Sequence, residues 1–98
     1  MRAEVSRWTD WDADIMVAIS QGESNCSMER VGDTNLTWEQ DGREYGYSIG
    51  ALQVRILPGR EWCEIGEKYW ECAHAIYQSQ GYNAWTVYSI GKYLDFMK

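Results

Sequence analysis

Glu23 closes an apolar helical run, Ala18-Ile19-Ser20-Gln21-Gly22-Glu23-Ser24-Asn25. A carboxyl on the last turn of a buried helix is costly to ionise, because a low-dielectric surround disfavours the charged form. Such a group keeps its proton toward neutral pH, as a general acid must. Glu23 is the only acidic residue placed directly after an apolar helical run. Further along comes Ser48-Ile49-Gly50-Ala51-Leu52-Gln53-Val54. Gln53 offers both donors and acceptors, suited to the hydroxyl and N-acetyl substituents of a sugar. Breaking a glycosidic bond requires protonation of a poor leaving group, hence a protonated carboxylic acid in a dry pocket. Tyr88 adds a phenol able to hydrogen-bond Glu23 or an N-acetyl carbonyl.

These segments resemble motifs of one known family. Glu23-Ser24 matches the catalytic Glu-Ser at a helix end in the lysozyme-like lytic transglycosylase domain, of the SLT or goose-lysozyme-like type. Gly50-Ala51-Leu52-Gln53 resembles its Gly-Leu-Met-Gln, with Ala51 where a larger residue is usual. Tyr88-Ser89-Ile90-Gly91 resembles its Tyr-Asn-Ala-Gly, with Ser89 replacing the Asn. Gly32-Asp33-Thr34 and Gly81-Tyr82-Asn83-Ala84-Trp85 look like the smaller phage and actinobacterial members, and the likeness runs from Ile15 to Leu94. It implies cleavage of peptidoglycan between N-acetylmuramic acid and N-acetylglucosamine, at the β-1,4 bond, without cofactor. Glu23 would be the catalytic acid and Tyr88 would lie beside it. Gln53, Tyr88, Tyr47, Ser48 and Trp85 would bind the strand, and Ser24 would support the helix end.

A hydrolysing lysozyme needs a second carboxylate, as nucleophile or to activate water. Asp33, Asp41 and Glu44 lie in the loop that should border the cleft, Asp33 nearest. The lytic transglycosylases need none, because the sugar's own N-acetyl group assists departure and its 6-hydroxyl closes an anhydro ring. No second acidic motif stands out, so the lyase reaction is expected and hydrolysis is the alternative. A non-catalytic glycan-binding module is the alternative of a different class. The retained Glu23 argues against that module.

Thr9-Asp10-Trp11-Asp12 reads as a capping box with Thr9 as N-cap. Trp8, Trp11, Ile15, Ala18, Ile19 and Gly22 follow the three-four spacing of one helix face, which predicts a helix ending near Gly22 to Asn25. Cys26 to Tyr47 is polar, and Leu36 and Trp38 can pair with Tyr45 and Tyr47 around an Asp41-Gly42 turn. Ser48 to Ile56 reads as a short buried helix. A longer one follows from about Gly66 to Gln80, with Tyr69, Trp70, Ala73, Ile76 and Tyr77 inward, His74 at the surface and Gly81 as its stop. Asn83 caps the next helix, and Lys92 to Lys98 adds a last turn with Tyr93, Leu94, Phe96 and Met97 on the core. The expected fold is mainly α (α+β lysozyme-like), a small helical bundle with a long polar loop or short hairpin bordering the substrate cleft.

The 98 residues suffice for one domain, 1–98, and not for two. Six Trp and seven Tyr exceed what so small a core can hide, since their polar ends need partners or water. A net charge of −6 with no Lys/Arg cluster argues against nucleic acid as partner. The same sign slows encounter with polyanionic cell walls. One His, with no Cys beside it, argues against a zinc site. Three cysteines leave at least one unpaired within the chain; Cys63 and Cys72 could close a short loop, and three free thiols are the alternative. No stretch is long and apolar enough to span a bilayer. The N-terminal run Met1 to Trp8 has no apolar core and is not a signal peptide. A monomer acting in the bacterial cell wall or periplasm is expected, reached by phage-type release or as an excised domain.

Overall fold

Two apolar-patterned runs each form one twelve-residue helix, and most of the chain between them is strand or turn. The computed structural model describes residues 1–97. A single-turn helix α1 (Arg2–Val5) leads into α2 (Ala13–Ser24). Five short strands follow: β1 (Val31–Gly32), β2 (Trp38–Gln40), β3 (Arg43–Tyr45), β4 (Ser48–Ile49) and β5 (Val54–Arg55). The 3-10 turns Glu61–Glu64 and Gly66–Lys68 run into α3 (Tyr69–Gln80). A 3-10 turn at Gly81–Ala84, the short helix α4 (Thr86–Ser89) and a 3-10 turn at Lys92–Phe96 come last.

The architecture corrects the expectation of a mainly α, lysozyme-like helical bundle. The middle of the chain forms two antiparallel sheets, β1-β4-β5 and β2-β3. Most of the difference arises at Ser48 to Ile56, which is a strand pair and not a helix. Ser48 pairs with Arg55 and Ile49 with Val54. Between them Gly50 (φ 78°) and Gln53 (φ 47°) are left-handed, a conformation that no right-handed helix accommodates. The β2-β3 hairpin does form, with Trp38 opposite Tyr45. Its turn residues Asp41 and Gly42 both have positive φ, as a type I′ turn requires.

Smaller boundaries also move. Asp12, not Thr9, caps α2, its Oδ1 accepting the N–H of Asp14 at 2.8 Å and of Ile15 at 3.4 Å. The shift follows from Trp11, whose buried indole N–H donates to the Val5 carbonyl at 2.6 Å and so keeps its residue outside the helix. Trp85 stands at the N-cap of α4 in place of Asn83. Leu94, Phe96 and Met97 are exposed rather than in the core, while the half-buried Tyr93 packs against it; the expected final turn ended at Lys98, which lies outside the described residues.

His74 is buried, not at the surface. Its Nε2 lies 2.7 Å from an Asp10 carboxylate oxygen, and its ring stacks on Trp8 with centroids 4.5 Å apart. A hydrogen-bonded, stacked imidazole can be buried at little cost. The core is one cluster, in which Met16 and Ile19 of α2 meet Leu52 and Ile56 near the strand pair and Tyr69, Trp70 and Ala73 of α3. A Cys63–Cys72 disulfide ties the first 3-10 turn to α3, with Cα atoms 5.3 Å apart, and Cys26 is free. Among the described residues no helix is long and apolar enough to cross a membrane.

Candidate active site

The turn Gly50–Gln53 is the point where three parts of the chain are fastened together. Tyr69 of α3 is buried beneath it, accepting the Leu52 N–H and donating to the Ile49 carbonyl, each at 2.9 Å. Burial pushes this phenol well above its ordinary range, so it stays a neutral donor. A Cβ on Gly50 would sit 2.6 Å from the Tyr69 ring, so the close approach needs glycine as much as the positive φ does. Ser24, at the end of α2, donates to the Ala51 carbonyl at 2.7 Å. Trp85, just before α4, donates its indole N–H to the Leu52 carbonyl at 2.8 Å. Ser24, the turn Gly50–Gln53 and Trp85 therefore converge through buried hydrogen bonds.

Glu23 sits at that junction, half-buried, and opens into a cleft of about 310 Å³. Asp33, Ser48, Gln53 and Trp85 line the same cleft. The Val87 N–H reaches Glu23 Oε1 at 3.4 Å. Burial, and then the neighbouring Asp33 charge, raise the Glu23 carboxyl above its ordinary value, while the Val87 hydrogen bond pulls the other way. Asp33 is itself placed by Ser48, a buried hydroxyl that donates to its Oδ2 at 2.5 Å. The result is a carboxyl shifted toward its protonated form, with a second carboxylate in the same polar cleft.

Other predicted site residues fall elsewhere or act differently. Gln53 borders the cleft, but its amide nitrogen donates inward to the Gly50 and Arg30 carbonyls, at 2.9 and 3.2 Å. Tyr88 stacks between Tyr82 and Tyr93, with centroids 5.0 and 4.6 Å away, and the hydrogen bond to Glu23 comes from its neighbour Val87. Tyr47 and Glu44 line a separate depression of about 390 Å³ with Val31, Thr34, Arg43 and Glu64. The separation is one of strand alternation, since successive residues Tyr47 and Ser48 point to opposite faces. Asp41 occupies the exposed tip of the hairpin.

Three further residues, Arg55, Ala84 and Thr86, line the Glu23 cleft without having been singled out. Arg55 sits opposite Ser48 in the β4-β5 register and so shares its face. Its signal is the strand pair, invisible while the segment reads as helix. Its guanidinium is held by the Gly46 carbonyl at 2.8 Å and the Leu36 carbonyl at 3.3 Å. Among the described residues no cluster of three or more His, Cys, Asp or Glu side chains could hold a metal ion. No protein-family model, curated protein or solved structure matches this chain.

Proposed function

We propose that this chain cleaves the glycan strands of bacterial peptidoglycan at the β-1,4 bond between N-acetylmuramic acid and N-acetylglucosamine, acting at the cell wall as a lytic transglycosylase. The observation that carries the reading is Glu23, a half-buried carboxyl held above its ordinary protonation range at the edge of a polar cleft. The meeting of Glu23-Ser24 with Gly50–Gln53, and of Trp85 with the same turn, supports it, because two of the segments that resemble the transglycosylase motifs are neighbours in space. Glu23 protonates the bridging oxygen, which leaves with N-acetylglucosamine as the C1–O bond breaks, and the N-acetyl carbonyl oxygen of the muramic unit bonds to its own C1. The Glu23 carboxylate then takes the proton of the 6-hydroxyl as that oxygen displaces the acetamido oxygen from C1. No water is consumed.

Asp33 favours a second reading, hydrolysis. The lyase expectation rested on the lack of a second placed acid, and Asp33 shares the cleft with Glu23, steadied by Ser48. Mass spectrometry of digested peptidoglycan distinguishes the two. Products ending in 1,6-anhydro-N-acetylmuramic acid, lighter by one water than reducing ends, are expected, and Asp33→Asn should still form them. Reducing ends that vanish in Asp33→Asn would make the chain a hydrolase with Asp33 as second carboxylate. A wild-type protein that releases neither product would overturn both readings.

A further inference from the structure

Gly22 lies inside α2, one residue before Glu23, in ordinary right-handed helical backbone. Glycine weakens a helix interior, and here no left-handed angle calls for it. The space around it does. A Cβ built on Gly22 would lie 2.6 and 3.1 Å from the two methyls of Val87 in α4, and 3.3 Å from the Phe96 ring in the last 3-10 turn. Carbon atoms in ordinary contact stand about 3.5–4.0 Å apart. α4 therefore reaches α2 at this distance only because position 22 has no side chain.

The buried Val87 cannot turn out of the way. Its methyls take two of the three staggered positions about χ1, and both of those positions face Gly22. Any rotation leaves a methyl in one of them. Val87 is also the residue whose N–H reaches Glu23 Oε1, at 3.4 Å, and the preceding Trp85 and Thr86 line the Glu23 cleft. We infer that Gly22 is a positioning residue for the Glu23 carboxyl. By letting Val87 seat against α2, it sets how closely α4 closes on that carboxyl and keeps the Val87 N–H within reach of it. The inference rests on the proposed role of Glu23 as the acid and deepens it.

The groups around Glu23 give the electrostatic sign. Asp33 and Arg55 line the same cleft from the sheet side, and the Tyr69 phenol of α3 lies near. Lys92 and Asp95, on the last 3-10 turn, are exposed. On α4 the Tyr88 phenol belongs to the stack with Tyr82 and Tyr93, so the contribution of that helix is the Val87 N–H. A donated N–H favours the carboxylate. Wedging α4 outward removes it and leaves burial and the Asp33 charge to hold the proton more firmly.

The test compares Gly22→Ala, Val87→Ala and both substitutions in one chain. The Glu23 carboxyl is titrated by NMR without substrate, and peptidoglycan cleavage is followed over the same pH range. In Gly22→Ala the Glu23 titration should move to higher pH, and the alkaline limb of the rate profile should move with it. Cleavage at the optimum should fall about tenfold or more, the scale of loss that small displacements of reacting groups produce. Adding Val87→Ala, which keeps the N–H and removes the methyls, should return both quantities toward the wild-type values. A substitution that only loosened the fold would lower the rate without moving the limb. Should Gly22→Ala fail to fold, the paired variant should fold, and its failure would overturn the inference. An unmoved or lowered Glu23 titration in folded Gly22→Ala, or a shift that Val87→Ala does not reverse, would overturn it too. A reversible titration shift in a protein whose unmutated form digests no peptidoglycan removes the catalysis alone. Digestion with an unmoved titration removes the positioning role alone.

Discussion

Two glutamates border depressions on opposite faces of the β1-β4-β5 sheet, and their partners make them different reagents. Both oxygens of Glu64 are occupied, one by the Tyr47 phenol and the other by the Arg43 guanidinium at 2.6 Å. Glu23 takes part in none of the salt bridges among the described residues. It has a single long hydrogen bond from a backbone N–H, a half-buried position and a like charge nearby. A cation stabilises the carboxylate, whereas burial beside another carboxylate stabilises the acid. The same side chain is therefore a structural tie on one face of the sheet and a carboxyl shifted toward its acid form on the other. Which glutamate is suited to donate a proton is decided by what faces it, not by residue type or by the size of the hollow.

The largest expected effect is at Glu23. Glu23→Gln keeps the shape and removes the proton, so the cleavage rate should fall by about 10²–10⁴-fold. A variant retaining more than about a tenth of the wild-type rate would remove Glu23 from the mechanism. Stability should move the other way. The folded-state carboxyl is raised, so its favourable contribution is complete below the unfolded-state value and lost as pH rises through the folded value. At neutral pH the ionised Glu23 is therefore a burden that Gln does not carry. Thermal unfolding should show Glu23→Gln melting higher than wild type near neutrality, with the gap narrowing toward about pH 4. A variant that melts lower at neutral pH would mean that the carboxylate is paired after all.

Ser24 tests whether the turn that faces Glu23 depends on its buried ties. Ser24→Ala leaves the buried Ala51 carbonyl without its donor, while the Ser27 N–H keeps only the Ser24 backbone carbonyl as acceptor. Unfolding free energy should drop by about 1–3 kcal/mol. Cleavage should slow in the same variant, because Gly50–Gln53 forms one wall of the cleft. An unchanged denaturant midpoint would show that Tyr69 and Trp85 hold the turn without Ser24.

How much of this was legible follows the same divide between local and tertiary causes. The placement of Glu23 could be read directly, since an apolar helical run ends there and Asn25 takes the left-handed cap. The Asp41-Gly42 hairpin was equally local. The strand pair at Ser48–Arg55 was not. Ala51, Leu52 and Gln53 favour helix intrinsically, and only bonds from Tyr69, Trp85 and Ser24, which come from distant parts of the chain, hold them in a turn. Once that segment was misread, the shared face of Ser48 and Arg55, and the opposite face of Tyr47, were hidden with it. His74 was misplaced for a related reason, because Asp10 lies far from it in sequence.

The smallest expected effect is at Glu64, and it bears most directly on the contrast. Glu64→Gln removes the charge but keeps one oxygen for the Arg43 guanidinium, and its amide nitrogen can donate to the Tyr47 phenol oxygen. The pair it weakens is partly exposed, with side chains 39 % and 32 % accessible. Water and salt screen such pairs, so the stability loss should be about 0.2–1 kcal/mol. The loss should shrink further at high ionic strength. The cleavage rate should hold near the wild-type value, since Glu64 lies in the other depression, apart from Glu23 and Asp33. Denaturant titration at low and high salt, with a digestion assay on the same sample, reads both quantities. If Glu64→Gln slowed digestion as severely as Glu23→Gln, the depression around Arg43 and Tyr47 would become the reacting centre. Proton donation by the unpaired Glu23 would then be excluded.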